Sequence, residues 1–392
     1  MKKRIVAIAL LLILAATMLP VRTAFASTDI TLIIDGERQN PTVPPRVVGG
    51  TTLVPLRLIS ETLGAHVQWN GTTRTATIET AAYTVVFTVN SNTYTVNGAT
   101  RRLDQPAQLI AGSTMVPIRA FAESIGAEVN YSSSTNTATI NYFTAMSGTV
   151  RISGSTTVQP IVQAAADRIR AKNSDLSIVV SGGGSGTGIN EATAGTVNIG
   201  MSSRDLREDE LRVLNTYRVA YDAIAIIVHP SNPVSNLTME QARKIFTGEI
   251  SNWNEVGGGN APILVQTRET GSGTLSVLQD LLLGSGNAVV DRATAHASAA
   301  LIKNAVARDA NAIGFDSIGF VDNTVKALRL DNIAATAQTV NNNTYPLSRS
   351  LWVCTRGRVQ PGESAMFIDY LRSLEVQRDI VQREGYIRIP TS

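Results

Sequence analysis

Three short segments carry the residue types from which an anion site can be built: Gly154-Ser155-Thr156-Thr157, Gly184-Ser185-Gly186-Thr187 and Gly271-Ser272-Gly273-Thr274. Each follows an extended stretch and opens a helical pattern. A helix N-terminus presents unpaired N–H groups and about half a unit of positive charge. Glycine lets the backbone approach a ligand closely, and Ser and Thr hydroxyls add rotatable donors. One such loop alone reads as an ordinary helix cap. Three of one design point to an oxyanion held from several sides. Arg268 precedes the third loop in the order R-x-x-G-S-G-T, where a guanidinium can grip two oxygens of one anion. Asp222 immediately precedes the apolar run AIAIIVH. A carboxylate beside an anion site makes sense if the ligand carries a proton that needs an acceptor; the alternative for Asp222 is a turn or cap.

Other chemistries fail on spacing. The chain has no G-x-x-x-x-G-K-[ST] loop, its SGGGSGTGI run does not fit G-x-G-x-x-G, and no serine sits in a G-x-S-x-G elbow. The three histidines, His66, His229 and His296, lie far apart, and Cys354 is the single cysteine. A disulfide within the chain, a multi-cysteine metal site and a histidine metal centre are therefore not expected. His229, before Pro230 at a strand end, and His296, in an Ala-rich helical pattern, read as structural. The expectation is a binding protein without cofactor or metal, not an enzyme. A hydrolase of phosphate esters would need a nucleophile–base pair or metal set that the pattern does not offer.

These segments must be positioned by a chain of 392 residues, 43% hydrophobic and 17% charged, which is a globular balance with room for two or three domains. The formal charge is +3, but residues 1–26 hold Lys2, Lys3, Arg4 and Arg22 and no acid; without them 30 basic residues face 31 acidic ones. A near-neutral mature chain removes the main support for a nucleic-acid partner. Lys2-Lys3-Arg4, an apolar run over 5–21 and Ala24-Phe25-Ala26 form the three-part layout of a secretory signal peptide, with cleavage after Ala26. The run is short for a membrane span and contains Pro20. No cysteine lies near the cleavage site, so the product is expected outside the membrane and without a lipid anchor.

An internal repeat follows, with an offset of 62 residues. GTTLVPLR at 50–57 returns as GSTMVPIR at 112–119; Glu61 matches Glu123, Trp69 matches Tyr131, and Thr75–Ile78 match Thr137–Ile140. Each unit reads as strand, short helix and strand, so residues 27–142 are expected to form a small duplicated α+β domain. Arg57 and Glu61, like Arg119 and Glu123, are four apart and suit a helical ion pair. The doubled [TS]-x-[VM]-P-[LI]-R-x-x-x-E-x-[LI]-G-A pattern resembles the copper-amine-oxidase-N-terminal-like domain of Gram-positive surface proteins. Without a histidine set for copper, the resemblance implies a stalk or wall-facing module that could touch cell-wall polymer, not redox chemistry.

Residues 143–148 read as a linker, and from Thr149 to 392 short β-branched runs alternate with helical patterns, an α/β arrangement. GSTTV, SGGGSGTG, SSRDL, IFTGEISNWNEVGG, RETGSGT, AIGFDSIGFV and YPLSRSLWV occur in that order. In this the second domain resembles the phosphate-binding proteins of bacterial phosphate ABC transporters (PstS type). The resemblance implies a type II periplasmic-binding fold, with two α/β lobes, one of about 149–222 plus the segment after about 346. It implies inorganic phosphate as ligand and an ABC permease as partner; the first domain's resemblance implies a Gram-positive-type envelope. It places Ser155, Thr156, Thr157, Ser185, Gly186, Arg268, Ser272, Gly273 and Thr274 at the phosphate. Where well-known members carry an Asp, this chain has Ser203-Arg204. Asp222 becomes the natural proton acceptor, and Arg204 is either a second cation at the site or pairs with Asp205 or Glu208. Two other readings stand beside this one: a binder of sulfate or molybdate, and a wall-associated adhesion or scaffold protein.

Overall fold

The computed structural model describes residues 30–390; the expected signal peptide lies outside them. The first unit of the repeat runs β1 (Thr31–Ile34), β2 (Glu37–Gln39), β3 (Arg46–Val48), β4 (Thr51–Pro55), α1 (Leu56–Thr62), β5 (His66–Asn70) and β6 (Thr75–Glu79). After β7 (Thr84–Thr88) the second unit runs β8 (Thr93–Val96), β9 (Ala99–Arg102), β10 (Gln108–Ile110), β11 (Ser113–Pro117), α2 (Ile118–Ser124), β12 (Glu128–Ser132) and β13 (Thr137–Asn141). The same 62-residue shift carries β1 onto β8 and β2 onto β9, so the duplication reaches further back than the motif at 50–57. β7 has no counterpart.

The units are interlocked. The central sheet has the order β10-β11-β4-β3, and in it Val54 pairs with Val116, its own repeat equivalent. A pseudo-two-fold axis therefore passes between these two buried valines. On one side β1 and β2 of the first unit complete β12 and β13 of the second; on the other, β7 bridges β6 to β8. The β3–β4 loop is Gly49-Gly50 with φ of 55° and 82°, the two positive values a tight type I′ hairpin requires.

In the second domain the strands lie in the order Leu176–Ser181, Gly148–Gly154, Ile199–Ser202, Ser348–Arg356, Leu214–Val228, Ala312–Ser317, Leu264–Arg268, Thr294–His296. The strand Leu214–Val228 spans both lobes: its first part pairs with Ser348–Arg356 and its last five residues with Ala312–Ser317. The apolar run that follows Asp222 is thus the C-terminal part of a longer crossing strand. The helix Gln159–Lys172 buries Ile161, Val162, Ala165 and Ile169, which lie on one helical face. The helix Glu363–Arg372 buries Phe367, Tyr370 and Leu371. One apolar core fills the lobe around residue 246 and its neighbours, and Cys354 is buried as an apolar side chain, its thiol pushed up to about 12 by burial.

The segment 143–148, expected as a linker, is a packed joint. Phe143 and Met146 are buried, and the Phe143 ring meets Tyr370 edge-on at 4.8 Å. Asp35 Oδ1 accepts from the N–H groups of Tyr142 and Phe143 at 2.8 and 2.9 Å. Asp369, inside the helix Glu363–Arg372, accepts from Ala81 N–H at 2.7 Å and Tyr142 hydroxyl at 2.8 Å. Gly64 lies so close to the Asp369 carbonyl that a Cβ there would sit 1.8 Å from its oxygen. The first domain shares one continuous core with the first lobe instead of hanging from a loose tether.

Candidate functional site

All three glycine-bearing loops meet where the lobes face each other. The strand Gly148–Gly154 ends at Gly154, whose φ of 130° turns the chain into Ser155-Thr156-Thr157. Ser155 Oγ accepts from the N–H groups of Thr157 and Val158, so it caps its own loop. The second loop opens the helix Ser185–Ala194 and the third opens the helix Gly273–Leu278, capped by Ser272 Oγ from Leu275 N–H.

Contacts between lobes are direct. Gly186 N–H donates to Gly271 O at 3.0 Å, and the Thr157 and Thr274 hydroxyls are 3.1 Å apart. Arg268 Nη2 donates to Thr156 Oγ1 at 3.0 Å, and Ala299 N–H reaches the same oxygen at 3.3 Å. With its lone pairs facing these donors, the Thr156 hydroxyl retains its own hydrogen for donation. Ser185 Oγ accepts from Ser203 N–H at 3.0 Å and lies 3.3 Å from Ser203 Oγ. Gly273 packs on both hydroxyls; a Cβ there would be 2.2 Å from Ser185 Oγ and 2.8 Å from Ser203 Oγ.

Arg268 is 3% exposed and is held by main-chain carbonyls: Nε donates to His296 O at 3.2 Å and Nη2 to Ala297 O at 3.1 Å. Burial lowers its pKa, which is the energetic signature of a cation short of counter-charge. His296 ends the strand Thr294–His296 and is not in a helix as its Ala-rich surroundings suggest; Ser298 caps the next helix from Leu301 N–H. Its imidazole bonds Gln266 at 2.8 Å, and burial with the Arg268 charge lowers its pKa.

Two expectations change. Arg204 pairs with Glu210, with Nη1 and Nη2 at 2.8 and 2.7 Å from the carboxylate, and not with the carboxylates of Asp205 or Glu208; Nη1 also donates to the Asp205 main-chain carbonyl at 2.9 Å. A bidentate carboxylate occupies both ends of that guanidinium. Asp205 in turn accepts from Trp352 Nε1 at 2.8 Å. Asp222 is fully buried, but both its oxygens are engaged within the protein: Oδ1 accepts from Ser317 hydroxyl at 2.7 Å and Oδ2 from Arg349 Nε at 2.8 Å.

Arg349, Asp316 and Ser317 were not singled out from the sequence, although RSLWV and GFDSIG contain them. Arg349 Nη1 donates to Thr274 Oγ1 at 2.8 Å and to Ser203 O at 3.1 Å, so a second guanidinium enters the site from the crossing strand. Asp316 is 1% exposed; Oδ1 accepts from Ser317 N–H, and Oδ2 has no hydrogen-bond partner among the described residues. Burial pushes its carboxyl up to about 8, against the nearby Arg268 and Arg349 charges that pull it down. The buried junction brings together two guanidiniums and five hydroxyls, with the Asp316 carboxyl close enough to feel both arginine charges. Such a set has the chemistry to hold a small oxyanion. Among the described residues no group of three or more His, Cys, Asp or Glu is placed to hold a metal ion, and no helix is long and apolar enough to cross a membrane.

A family profile described as PBP superfamily domain matches residues 104–375, and one described as Copper amine oxidase N-terminal domain matches residues 33–140. The two matches overlap over residues 104–140. The phosphate-binding protein PstS of Bacillus subtilis is 33% identical over 247 residues, covering 62% of this chain and 81% of the relative. The PstS of Borreliella burgdorferi is 31% identical over 253 residues, covering 62% of this chain and 90% of its own. Among solved structures, a Clostridium perfringens substrate-binding protein assigned to phosphate ABC transport, with bound phosphate, aligns with a TM-score of 0.59 and 39% identity. It covers 62% of this chain and 100% of its own. An ABC-type phosphate transport receptor from Vibrio cholerae aligns at 0.53 with 34% identity over 62% of this chain and 100% of its own.

Proposed function

The chain belongs to the PBP superfamily, among the PstS-type phosphate-binding proteins, and from that premise we propose that it captures inorganic phosphate between its lobes and delivers it to an ABC-type permease. The observation that carries the reading is the meeting of Arg268 and Arg349 with hydroxyls of the opposite lobe, Thr156 for the first and Thr274 from the other side for the second. A tetrahedral anion seated there would receive charge-assisted bonds from both lobes and hold them together. Thr156, Thr157, Ser185, Ser203, Thr274 and the N–H groups of Gly273 and Thr274 supply neutral donors, while Ser155 and Ser272 shape the loops. Arg204 has no part in this reading.

Asp222 acts in the proposal through Arg349, which it aligns. The carboxyl that reads the ligand's proton is Asp316, whose Oδ2 is uncommitted and lies between the fields of both arginines. Monohydrogen phosphate brings a hydrogen to that oxygen at any pH where Asp316 is ionised; sulfate does not.

The Lys2-Lys3-Arg4 start, apolar run and Ala24-Phe25-Ala26 support export, with the mature chain beginning at Ser27 and carrying no lipid. Such a protein would work outside the membrane of a Gram-positive-type envelope. Equilibrium dialysis of the purified chain against phosphate, sulfate and molybdate above about pH 8, where Asp316 is ionised, tests the ligand. Phosphate retained at one equivalent, with the other two displaced by it, supports the proposal; equal retention of sulfate or molybdate would assign the site to another oxyanion.

A further inference from the structure

The first domain carries two clefts that phosphate binding does not use. One, of about 580 Å³, is walled by Arg57, Glu61 and Trp69 from the first unit and Leu109 from the second. The other, of about 690 Å³, is walled by Arg119, Glu123 and Tyr131 from the second unit and Val47 from the first. The 62-residue shift maps Arg57, Glu61 and Trp69 onto Arg119, Glu123 and Tyr131, and Val47 onto Leu109. The clefts are thus one structure made twice, each built across the two units and related by the axis between Val54 and Val116.

Their exposed aromatics are the informative feature. Trp69 is 40% exposed and Tyr131 44%; each stands two residues along its strand from a valine, Val67 or Val129, that packs on the core, so the aromatic lies at the rim of that same face. The Tyr131 hydroxyl donates to Asn136 Oδ1 at 2.6 Å, so its rim is tied down and its face is what remains to offer. Beside the Trp69 cleft wall, Arg57 and Glu61 sit 3.4 Å apart, a loose pair that places a planar donor next to an acceptor. An aliphatic side chain, Leu109 or Val47, stands exposed across each cleft at 47% or 57%.

A flat apolar platform with a donor–acceptor pair alongside matches a sugar ring. A pyranose presents a C–H face to an aromatic and a rim of hydroxyls that both donate and accept. Charges balance in each cleft, Arg57 against Glu61 in one and Arg102 and Arg119 against Asp104 and Glu123 in the other, which leaves little net charge to attract an acidic polymer or a nucleic acid. We propose that the two clefts are equivalent glycan-binding sites, each seating a sugar ring on Trp69 or Tyr131, which together hold the protein on a multi-stranded polysaccharide. The two-fold relation reverses direction at the second cleft, so each takes its own strand and the attachments reinforce one another by avidity. The docked joint fixes this attachment to the first lobe.

Co-sedimentation of the full chain with purified peptidoglycan sacculi, chitin and cellulose tests the inference, with Trp69→Ala, Tyr131→Ala and the double variant alongside. Both side chains are exposed at the clefts, so phosphate affinity and melting temperature should be unchanged in all three. The wild type should sediment with at least one of the glycans. Each single variant should bind roughly tenfold or more weakly through lost avidity, and the double variant should remain in the supernatant. A wild type that sediments with none of the three, or a double variant within twofold of it, overturns the proposal. Self-association of the wild type that the double variant abolishes would give the clefts to a second copy of the chain, and would overturn it too.

Discussion

Arg349 faces Asp222 directly across the antiparallel crossing strands, with Nε and Nη2 at 2.8 and 2.7 Å from Oδ2. Both side chains are shut from solvent, and Arg349 reaches on to Thr274 and Ser203. The pair converts the pairing of two strands into the aim of a guanidinium. Asp222→Asn leaves that guanidinium buried without its counter-charge, which costs about 3–5 kcal/mol. The expected outcome is a lower melting temperature with phosphate and sulfate binding weakened together. Unchanged stability with loss of phosphate binding alone would return Asp222 to the role of ligand acceptor.

Asp316 is expected to set the selectivity, and its sign follows from protonation. Below about pH 8 the buried carboxyl holds its proton and can donate to either anion. Above it the carboxylate repels sulfate, while monohydrogen phosphate supplies its own hydrogen. Between pH 7.5 and 9.5, sulfate affinity should fall by up to about tenfold per unit and phosphate affinity should hold. Asp316→Asn should flatten the sulfate curve. Parallel pH curves for the two anions in the wild type would take Asp316 out of the site.

Gly273 admits the close approach of the third loop to Ser185 and Ser203. Gly273→Ala should hold the lobes apart by the width of a methyl group. Phosphate affinity should drop by roughly two orders of magnitude, as expected when charge-assisted bonds lengthen. Unfolding of the unliganded protein should be nearly unchanged, because the clash arises only between lobes. Calorimetry and thermal melts of the variant check both halves.

The joint between domains should make stability fall as pH rises. Burial pushes the Asp369 carboxyl up to about 7, from a usual 3.8. The folded state then binds a proton that the unfolded state has released, so stability is fullest below about pH 4 for this group and is lost up to about 7. One proton limits the slope to about 1.4 kcal/mol per pH unit. Asn at 369 can accept from Ala81 N–H and donate to Tyr142 oxygen, so Asp369→Asn should be tolerated and should flatten part of this decline in melts from pH 4.5 to 8. Asp316 adds to the same slope and remains in the variant. An identical slope in wild type and variant would refute the assignment.

The three loops and Arg268 were legible because their chemistry is local: glycine, a hydroxyl and a helix start lie within a few residues. The repeat was legible for the same reason, and its extension to β1 and β8 was not, because TLII and TYTV share a strand pattern but little identity. Arg349 escaped because its meaning depends on Asp222, 127 residues away, and on a strand whose first half, LNTYRVAYD, reads as mixed polar. Arg204 was ambiguous for want of the turn that brings Glu210 beside it. The docked joint was missed because Asp369 and Ala81 are separated by 288 residues and each looks ordinary in its own neighbourhood.

In the proposed function Arg268 supplies charge to a phosphate held between the lobes. Its guanidinium is held by carbonyls and Thr156, so removing it strands no buried carboxylate partner in an ion pair. Titration calorimetry of phosphate into the full chain and into Arg268→Ala, at pH 7.5 and one ionic strength, measures the claim directly. Phosphate should bind the wild type one-to-one at micromolar concentrations or tighter, with a dissociation constant at least about 100-fold weaker in the variant, the equivalent of about 2.7 kcal/mol. A wild type that releases no heat up to millimolar phosphate, or a variant that binds as tightly, would contradict it.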